Sequence, residues 1–162
     1  ELVLPLIVID KSKEAAADND FTLSVQDILN FEKEHGVIEA GTFVALRTDW
    51  SKRWPDKGEF NNKDEVGNNH IPGWGYEALQ FLFEERKISA VGHETFDTDS
   101  AIDFRKNGEL KGEYYVLSQD TYQIELMANL DKLPAKGAII FNIVPKPEKA
   151  SGFPVRSFAI LP

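Results

Sequence analysis

The stretch Leu2-Val3-Leu4-Pro5-Leu6-Ile7-Val8-Ile9-Asp10 decides the fold class of this 162-residue chain. Its unbroken apolar character predicts a β-strand that is covered on both faces, as strands are in the parallel sheets of α/β proteins. Further strands are predicted at 41–48, 88–92, 137–144 and 155–161.

Two amphipathic helices alternate with these strands. Ser24 and Asp27 have the spacing of a capping box, and Gly36 is a natural end for the helix that begins there. A second helix is predicted over 76–86. This order predicts an α/β fold with a mixed sheet and flanking helices, in one domain over residues 1–162.

The composition excludes several classes of function. Eighteen basic and 27 acidic residues give a net charge of −9, which argues against nucleic-acid and membrane-surface partners. The absence of cysteine excludes a disulfide scaffold, a zinc ribbon and a thiol nucleophile. No apolar run reaches the roughly 20 residues that span a bilayer. We therefore expect a cytoplasmic protein.

Acidic residues follow the third long strand in the stretch Glu94-Thr95-Phe96-Asp97-Thr98-Asp99. Ligands of α/β sheets bind beyond the carboxyl ends of strands, so these acids could bind a metal or act as a base. The alternative is a solvated loop whose side chains cap local turns. Among the three histidines, only His93, beside this stretch, is a candidate for the site.

Glu125 lies between apolar residues in Tyr122-Gln123-Ile124-Glu125-Leu126-Met127. A carboxylate in such a segment is costly unless it is paired or bound to a metal. The alternative is that Glu125 points to solvent from an alternating strand.

Tryptophans cluster in a long segment, 49–71, in which hydrophobic periodicity is absent. Trp50, Trp54 and Trp74 lie in or beside it. Loops of this length are more often functional than not, and these rings could form a wall for an apolar or planar ligand. A lid that packs on the core, or an oligomer interface, would explain them equally well.

Five segments in this order and spacing resemble the putative-cyclase family of metal-dependent hydrolases, which includes bacterial kynurenine formamidases and isatin hydrolases. The segments are Val44-Ala45-Leu46-Arg47-Thr48-Asp49-Trp50 with Arg53-Trp54, Pro72-Gly73 before Ala78-Leu79, Gly92 to Asp99, Tyr122 to Pro134, and Ser151-Gly152-Phe153-Pro154-Val155-Arg156. The resemblance covers residues 2–162. It implies a swivelling β/β/α domain in which a divalent metal, zinc or manganese, activates water against an amide-like carbonyl.

The resemblance also assigns site residues. Glu125 corresponds to the family's later acidic metal ligand, and Trp50, Trp54 and Phe153 would contact substrate. Asp49 replaces the glycine of the family's Thr-Gly-Trp, which places a carboxylate near the expected pocket. Independently of the resemblance, the acidic stretch after the third strand supplies His93, Glu94 and Asp97 as further candidates, and Asp49 is added to them.

The family's hallmark H-G-T-H-x-D-x-P-x-H motif would lie upstream of Leu2 and does not occur in this sequence. The chain also begins with Glu1 and runs directly into the apolar stretch. We therefore expect an N-terminally truncated chain that is inactive alone, with the metal absent from it. Its expected partners are a small-molecule substrate, its own N-terminal segment and further copies in a dimer or tetramer.

Three functional hypotheses follow. The first is a metal-dependent, arylformamidase-like hydrolase of an amide, formamide or lactam C–N bond in a small planar or apolar substrate. The second is a non-catalytic small-molecule-binding or structural module of the same fold. The third is a glycosidase that uses Glu94, Asp97 and Asp99, with tryptophans as sugar platforms.

Overall fold

The computed structural model describes residues 2–150 and 152–162. The strands are β1 (Val3–Asp10), β2 (Thr22–Leu23), β3 (Phe43–Arg47), β4 (Gly73–Trp74), β5 (Ala90–His93), β6 (Tyr122–Ile124), β7 (Ala138–Ile143) and β8 (Arg156–Ile160). The helices are α1 (Ser12–Ala17), α2 (Val25–His35), α3 (Lys57–Asn61), α4 (Tyr76–Gln80), α5 (Ala101–Asn107) and α6 (Lys111–Ser118).

Six strands form one mixed sheet in the order β6-β5-β3-β1-β7-β8. The four strands from β6 to β1 are parallel, whereas β7 and β8 are antiparallel to their neighbours. Short strands β2 and β4 pair separately. The predicted α/β fold with a mixed sheet and flanking helices is thereby confirmed. The carboxyl ends of the four parallel strands meet at one edge of the sheet.

The side chains of β1 alternate between two hydrophobic clusters. Ile7 and Ile9 pack with the helices, whereas Leu6 and Val8 pack in the cluster on the opposite face. This confirms two-sided burial for the second half of the strand. Val3, near its start, is exposed.

Helix α2 begins and ends as its sequence predicts. The Ser24 hydroxyl accepts a hydrogen bond from the Asp27 amide at 3.2 Å, and the Ser24 amide donates to the Asp27 carboxylate at 2.9 Å. At the other end, Gly36 adopts φ 82°, a conformation that glycine permits without a steric penalty. The same Asp27 carboxylate pairs with Lys11 at 2.8 Å, which ties α2 to the residues that follow β1.

Several short elements were not predicted. Segment 49–71 contains a 3₁₀ turn at Trp50–Arg53 as well as α3, and α4 continues as a π-helical turn over Phe81–Glu85. Helices α1 and α5 bury one side chain and none, respectively, so neither has an apolar stripe from which to predict it. No helix in the described part of the chain is long and apolar enough to cross a membrane.

A clamp around His70 holds segment 49–71 against the rest of the molecule. His70 Nδ1 lies 2.6 Å from Asp20 Oδ2, and its Nε2 lies 3.4 Å from Asp64 Oδ2. Arg105, on α5, donates to the same Asp20 oxygen at 2.9 Å and to the Asn69 carbonyl. The hydrogen bond to Asp20 is the main reason why the pKa of His70 is raised above its ordinary value.

Ser24→Ala should lower the free energy of unfolding by about 1 kcal/mol, because the amide of Asp27 loses its side-chain acceptor. Gln26→Ala, on the exposed side of the same first turn, should change it by less than about 0.5 kcal/mol. Urea denaturation followed by circular dichroism measures both variants. Equal effects would mean that the capping box contributes nothing specific.

His70→Gln should destabilise the chain at low pH more than at high pH. Because the folded-state pKa of His70 is raised, its stabilising contribution is complete below about pH 6.5 and is lost as pH rises through the folded-state value. The difference in Tm between His70→Gln and the unchanged chain should therefore shrink between pH 6 and pH 9. His35→Gln, outside the clamp, is the control. A difference independent of pH would contradict a charged clamp.

Candidate functional site

The candidate residues lie mainly at the carboxyl edge of the parallel strands. Strand β3 leads into Thr48 and Asp49, β5 ends at His93 and is followed by Glu94, and β6 is followed by Glu125. Beyond their ends, β5 and β6 remain joined, because Met127 N donates to His93 O at 2.9 Å and Leu126 N to Thr95 O at 3.0 Å. This edge is where α/β sheets bind their ligands.

Glu94 is a buried carboxylate that connects β5 to the start of segment 49–71. One oxygen accepts from the Thr48 amide at 2.8 Å, and the other accepts from the Ser51 hydroxyl at 2.6 Å. Burial raises the pKa of Glu94, and these two hydrogen bonds do not cancel the rise. No cation pairs with Glu94 in the part of the chain that the structure describes. Its geometry suits a positioning role, in which it fixes the turn that carries Trp50.

His93 is completely enclosed, and neither ring nitrogen has a hydrogen-bond partner among the described residues. Burial alone lowers its pKa to about 3, so the imidazole is neutral at physiological pH. A neutral ring donates one hydrogen bond from its N–H and accepts one at its other nitrogen, which can also bind a cation.

Glu125 occupies a more open position than Glu94. One of its oxygens accepts from the Gln123 side chain at 3.0 Å, and the group is half-buried. Burial raises the pKa of Glu125, and the charges of Glu113 and Asp97 raise it further. We call Asp97, Glu113 and Glu125 the acidic edge.

The acidic edge combines residues that are distant in sequence. Burial raises the pKa of Asp97, as do the charges of Glu113 and Asp99, and its carboxylate makes no hydrogen bond or ion pair within the described residues. Asp99, in contrast, accepts from the amides of Gly112 and Glu113 at 2.7 and 2.9 Å, at the start of α6. Asp99 therefore caps a turn, as one of the two alternatives for this stretch expects. The carboxylates of Asp97 and Glu125 still have oxygen lone pairs that can accept a ligand.

Asp49 lies in an ion-pair network rather than alone at a pocket. It accepts from Arg47 Nε at 2.7 Å and from Lys52 Nζ at 2.7 Å, and Arg47 also pairs with Asp10 at 2.7 Å. The hydrogen bond from Arg47 is the main cause of the lowered pKa of Asp49. Its charge is therefore compensated, in contrast to the charges of the acidic edge.

The aromatic candidates differ in exposure. Trp50 is buried with Phe60 and Ile71, and its indole nitrogen donates to the Phe60 carbonyl at 2.9 Å. Trp54 is 60% exposed and contacts Phe60 edge-on, with ring centroids 5.9 Å apart. Trp50 is thus a core residue of segment 49–71, in agreement with the alternative that these rings pack on the core. Trp54, in contrast, has one face open to solvent.

A groove of about 410 Å³ runs beside Glu125. Its walls come from the segment Ile124–Leu130, from Val155 and from β8, where Arg156 and Phe158 line it. Phe153 is 40% exposed and lies two residues before Val155. The groove therefore joins apolar walls, one carboxylate and one guanidinium.

Three features of the site were missed by sequence reasoning. These are the participation of Glu113, the pairing of Glu94 with Ser51, and the His70 clamp. Each depends on contacts between distant segments, so no local signal could reveal it. Within residues 2–150 and 152–162, no group of three His, Asp or Glu side chains is arranged to hold a metal ion.

Comparison with known proteins gives consistent matches. Isatin hydrolase of Roseibium aggregatum is 40% identical over 161 residues, which are 99% of this chain and 60% of that protein. The structure of an isatin hydrolase bound to the product analogue thioisatinate matches with a TM-score of 0.93 and 40% identity, over 99% of this chain and 61% of that one. Isatin hydrolase A from Ralstonia solanacearum matches with a TM-score of 0.94 and 35% identity, over the same shares.

The chain therefore spans about three fifths of the length of these relatives. Their shared fold confirms the α/β architecture that the sequence predicts. Residues 1–100, more than half of the chain, match the family model described as "Putative cyclase". This chain belongs to that cyclase family.

Proposed function

We propose that the complete protein, meaning this chain with any polypeptide encoded beside it, is a hydrolase of an amide-like C–N bond. The observation that carries the proposal is 40% identity to isatin hydrolase over 99% of the chain. Isatin is a small planar lactam, so amides, formamides and lactams of comparable size form the proposed substrate class.

The groove beside Glu125 supports a substrate of this size. Its volume of about 410 Å³ lies within the range of small-molecule sites, roughly 300–1,000 Å³. Leu126 and Met127 provide apolar surface, whereas Glu125 and Arg156 provide charge. We propose that Phe153 and Trp54, both partly exposed, extend this wall, and that Trp50 supports it from within segment 49–71.

We also propose a divalent metal, zinc or manganese, as cofactor of the complete protein, with Glu125 as one ligand. A carboxylate with a raised pKa and no cationic partner in the described chain gains most from a nearby cation. The described residues do not form a metal site by themselves. Protein metal sites of this type need three or more ligands, so we assign the others to polypeptide outside this sequence.

The second candidate is a non-catalytic small-molecule-binding or structural module. The absence of a three-ligand group among the described residues favours it. Under either proposal we expect a small-molecule ligand, the protein's own N-terminal segment, and assembly into a dimer or tetramer in the cytoplasm.

Metal removal tests the hydrolase directly. The complete protein should open isatin or hydrolyse an N-formyl aromatic amine, lose this activity on dialysis against EDTA, and regain it with Mn²⁺ or Zn²⁺. The 162-residue chain alone should show no turnover. Activity that resists chelation would contradict the metal, and a metal-loaded complete protein without turnover on either substrate would favour the non-catalytic module.

Glu125→Ala should lower the metal content of the complete protein at least tenfold at limiting metal, which corresponds to about 1.4 kcal/mol of lost binding. Glu94→Gln is the matched control, because it removes a carboxylate charge at the same edge and leaves an acceptor for Thr48 or Ser51. Mass spectrometry of native protein gives both occupancies. Equal metal content in Glu125→Ala and the unchanged protein would exclude Glu125 as a ligand.

A further inference from the structure

On one face of the six-stranded sheet, β7 and β8 carry apolar side chains that nothing in the described chain covers. In β7 and β8, cross-strand partners point to the same side, and β1 continues their surface at its start. We call this surface the β7–β8 face; it consists of Val3, Pro5, Ile139, Phe141, Ile143, Phe158 and Ile160.

The exposure of this face is unusual for its residue types. Five of its members, Val3, Ile139, Ile143, Phe158 and Ile160, are each between 45% and 54% exposed. Phe141 and Phe158 stack in parallel, with ring centroids 5.0 Å apart, and so form a flat surface at its centre. Contiguous exposed apolar surface of this kind marks an interaction site.

The sheet is also open at this side. β8 pairs with β7 and has no further strand neighbour among the described residues, so its outer backbone groups can accept another strand. Arg156, the cross-strand partner of Ile143, is the one charged side chain of this face among the described residues and lies at its border. Its partner should therefore be apolar and able to form a β-strand.

Isatin hydrolase contains polypeptide that has no match in this chain. We propose that the complete protein contains a corresponding segment, and that this segment covers the β7–β8 face. The matched relatives extend beyond the aligned region by about two fifths of their length. β1 starts within the face at Val3, so polypeptide upstream of β1 would emerge beside it. This inference rests on the proposed function, which assigns metal ligands to the same polypeptide.

The test measures the effect of one substitution in two contexts. In the complete protein, Phe158→Glu should lower the Tm by at least about 5 °C, because a carboxylate would be buried against apolar surface. In the 162-residue chain the shift should be less than half as large, because Phe158 is exposed there. Val66→Glu, at an exposed valine outside the face, should shift Tm by less than about 1 °C in both.

Hydrogen exchange of the unsubstituted proteins gives a second readout that does not depend on a variant folding. Amides of β8 should exchange at least about tenfold more slowly in the complete protein than in the 162-residue chain. Three results would each overturn the proposal. These are equal exchange of the β8 amides in the complete protein and the 162-residue chain, equal Tm shifts for Phe158→Glu in these two proteins, and a gene that encodes no further polypeptide.

A second copy of the chain is the competing occupant. Sedimentation of the 162-residue chain should show a monomer of 18.3 kDa at micromolar concentration. A dimer that Phe158→Glu dissociates would assign the face to a second copy and overturn the proposal. These readouts need neither substrate nor metal, so a complete protein that is protected but inactive would contradict the hydrolase and leave the docking surface standing.

Discussion

The structure depends on the burial of β1 on both faces, at the place in the sheet where the parallel strands meet the antiparallel ones. Because side chains alternate with a period of two, Ile7 and Ile9 belong to the helical cluster and Leu6 and Val8 to the opposite one. A slip of one residue in the pairing with β3 would exchange the two sets, so the register is strongly specified. The same parallel pairing brings the carboxyl ends of four strands to one edge, and thereby unites acids that are distant in sequence, such as Asp49, Glu94 and Glu125.

The acids at this edge fall into two electrostatic classes. Asp49 has cationic partners, and its pKa is lowered chiefly by Arg47, so its charge contributes to folding. Burial raises the pKa values of Glu94, Asp97 and Glu125, and none of these three has a cationic partner in the part of the chain described. Glu94 compensates with hydrogen bonds from Thr48 and Ser51, whereas Asp97 has none. A cation bound beside Asp97 and Glu125 would lower both pKa values, because an opposite charge favours the ionised carboxylate.

The structural features that the sequence predicts correctly are those that depend on nearby residues. The long strands and the capping box of α2 depend on residues within a few positions of one another, and the structure confirms them. The helices α5 and α6 were not foreseen, since α5 buries no side chain and α6 is held partly through the distant Asp99. The buried position of Trp50 follows from its packing with Phe60 and Ile71. This is a tertiary contact, so the residues next to Trp50 in the sequence do not predict it. The neighbours of Glu125 in the acidic edge were hidden for the same reason.

Two places within residues 2–150 and 152–162 have unpaired groups of different kinds. At the carboxyl edge, Asp97 and Glu125 have no cationic partner among these residues, and on β7 and β8 the β7–β8 face has no apolar cover among them. These needs are chemically opposite, so a single small ligand or a single apolar strand could satisfy only one of them. A polypeptide that carries both a strand and metal-ligating side chains could satisfy both, and β1 lies between the two places, with Val3 on the exposed face and Asp10 at the carboxyl edge. Under these proposals, β1 connects the face that the additional polypeptide would cover with the edge at which it would supply metal ligands.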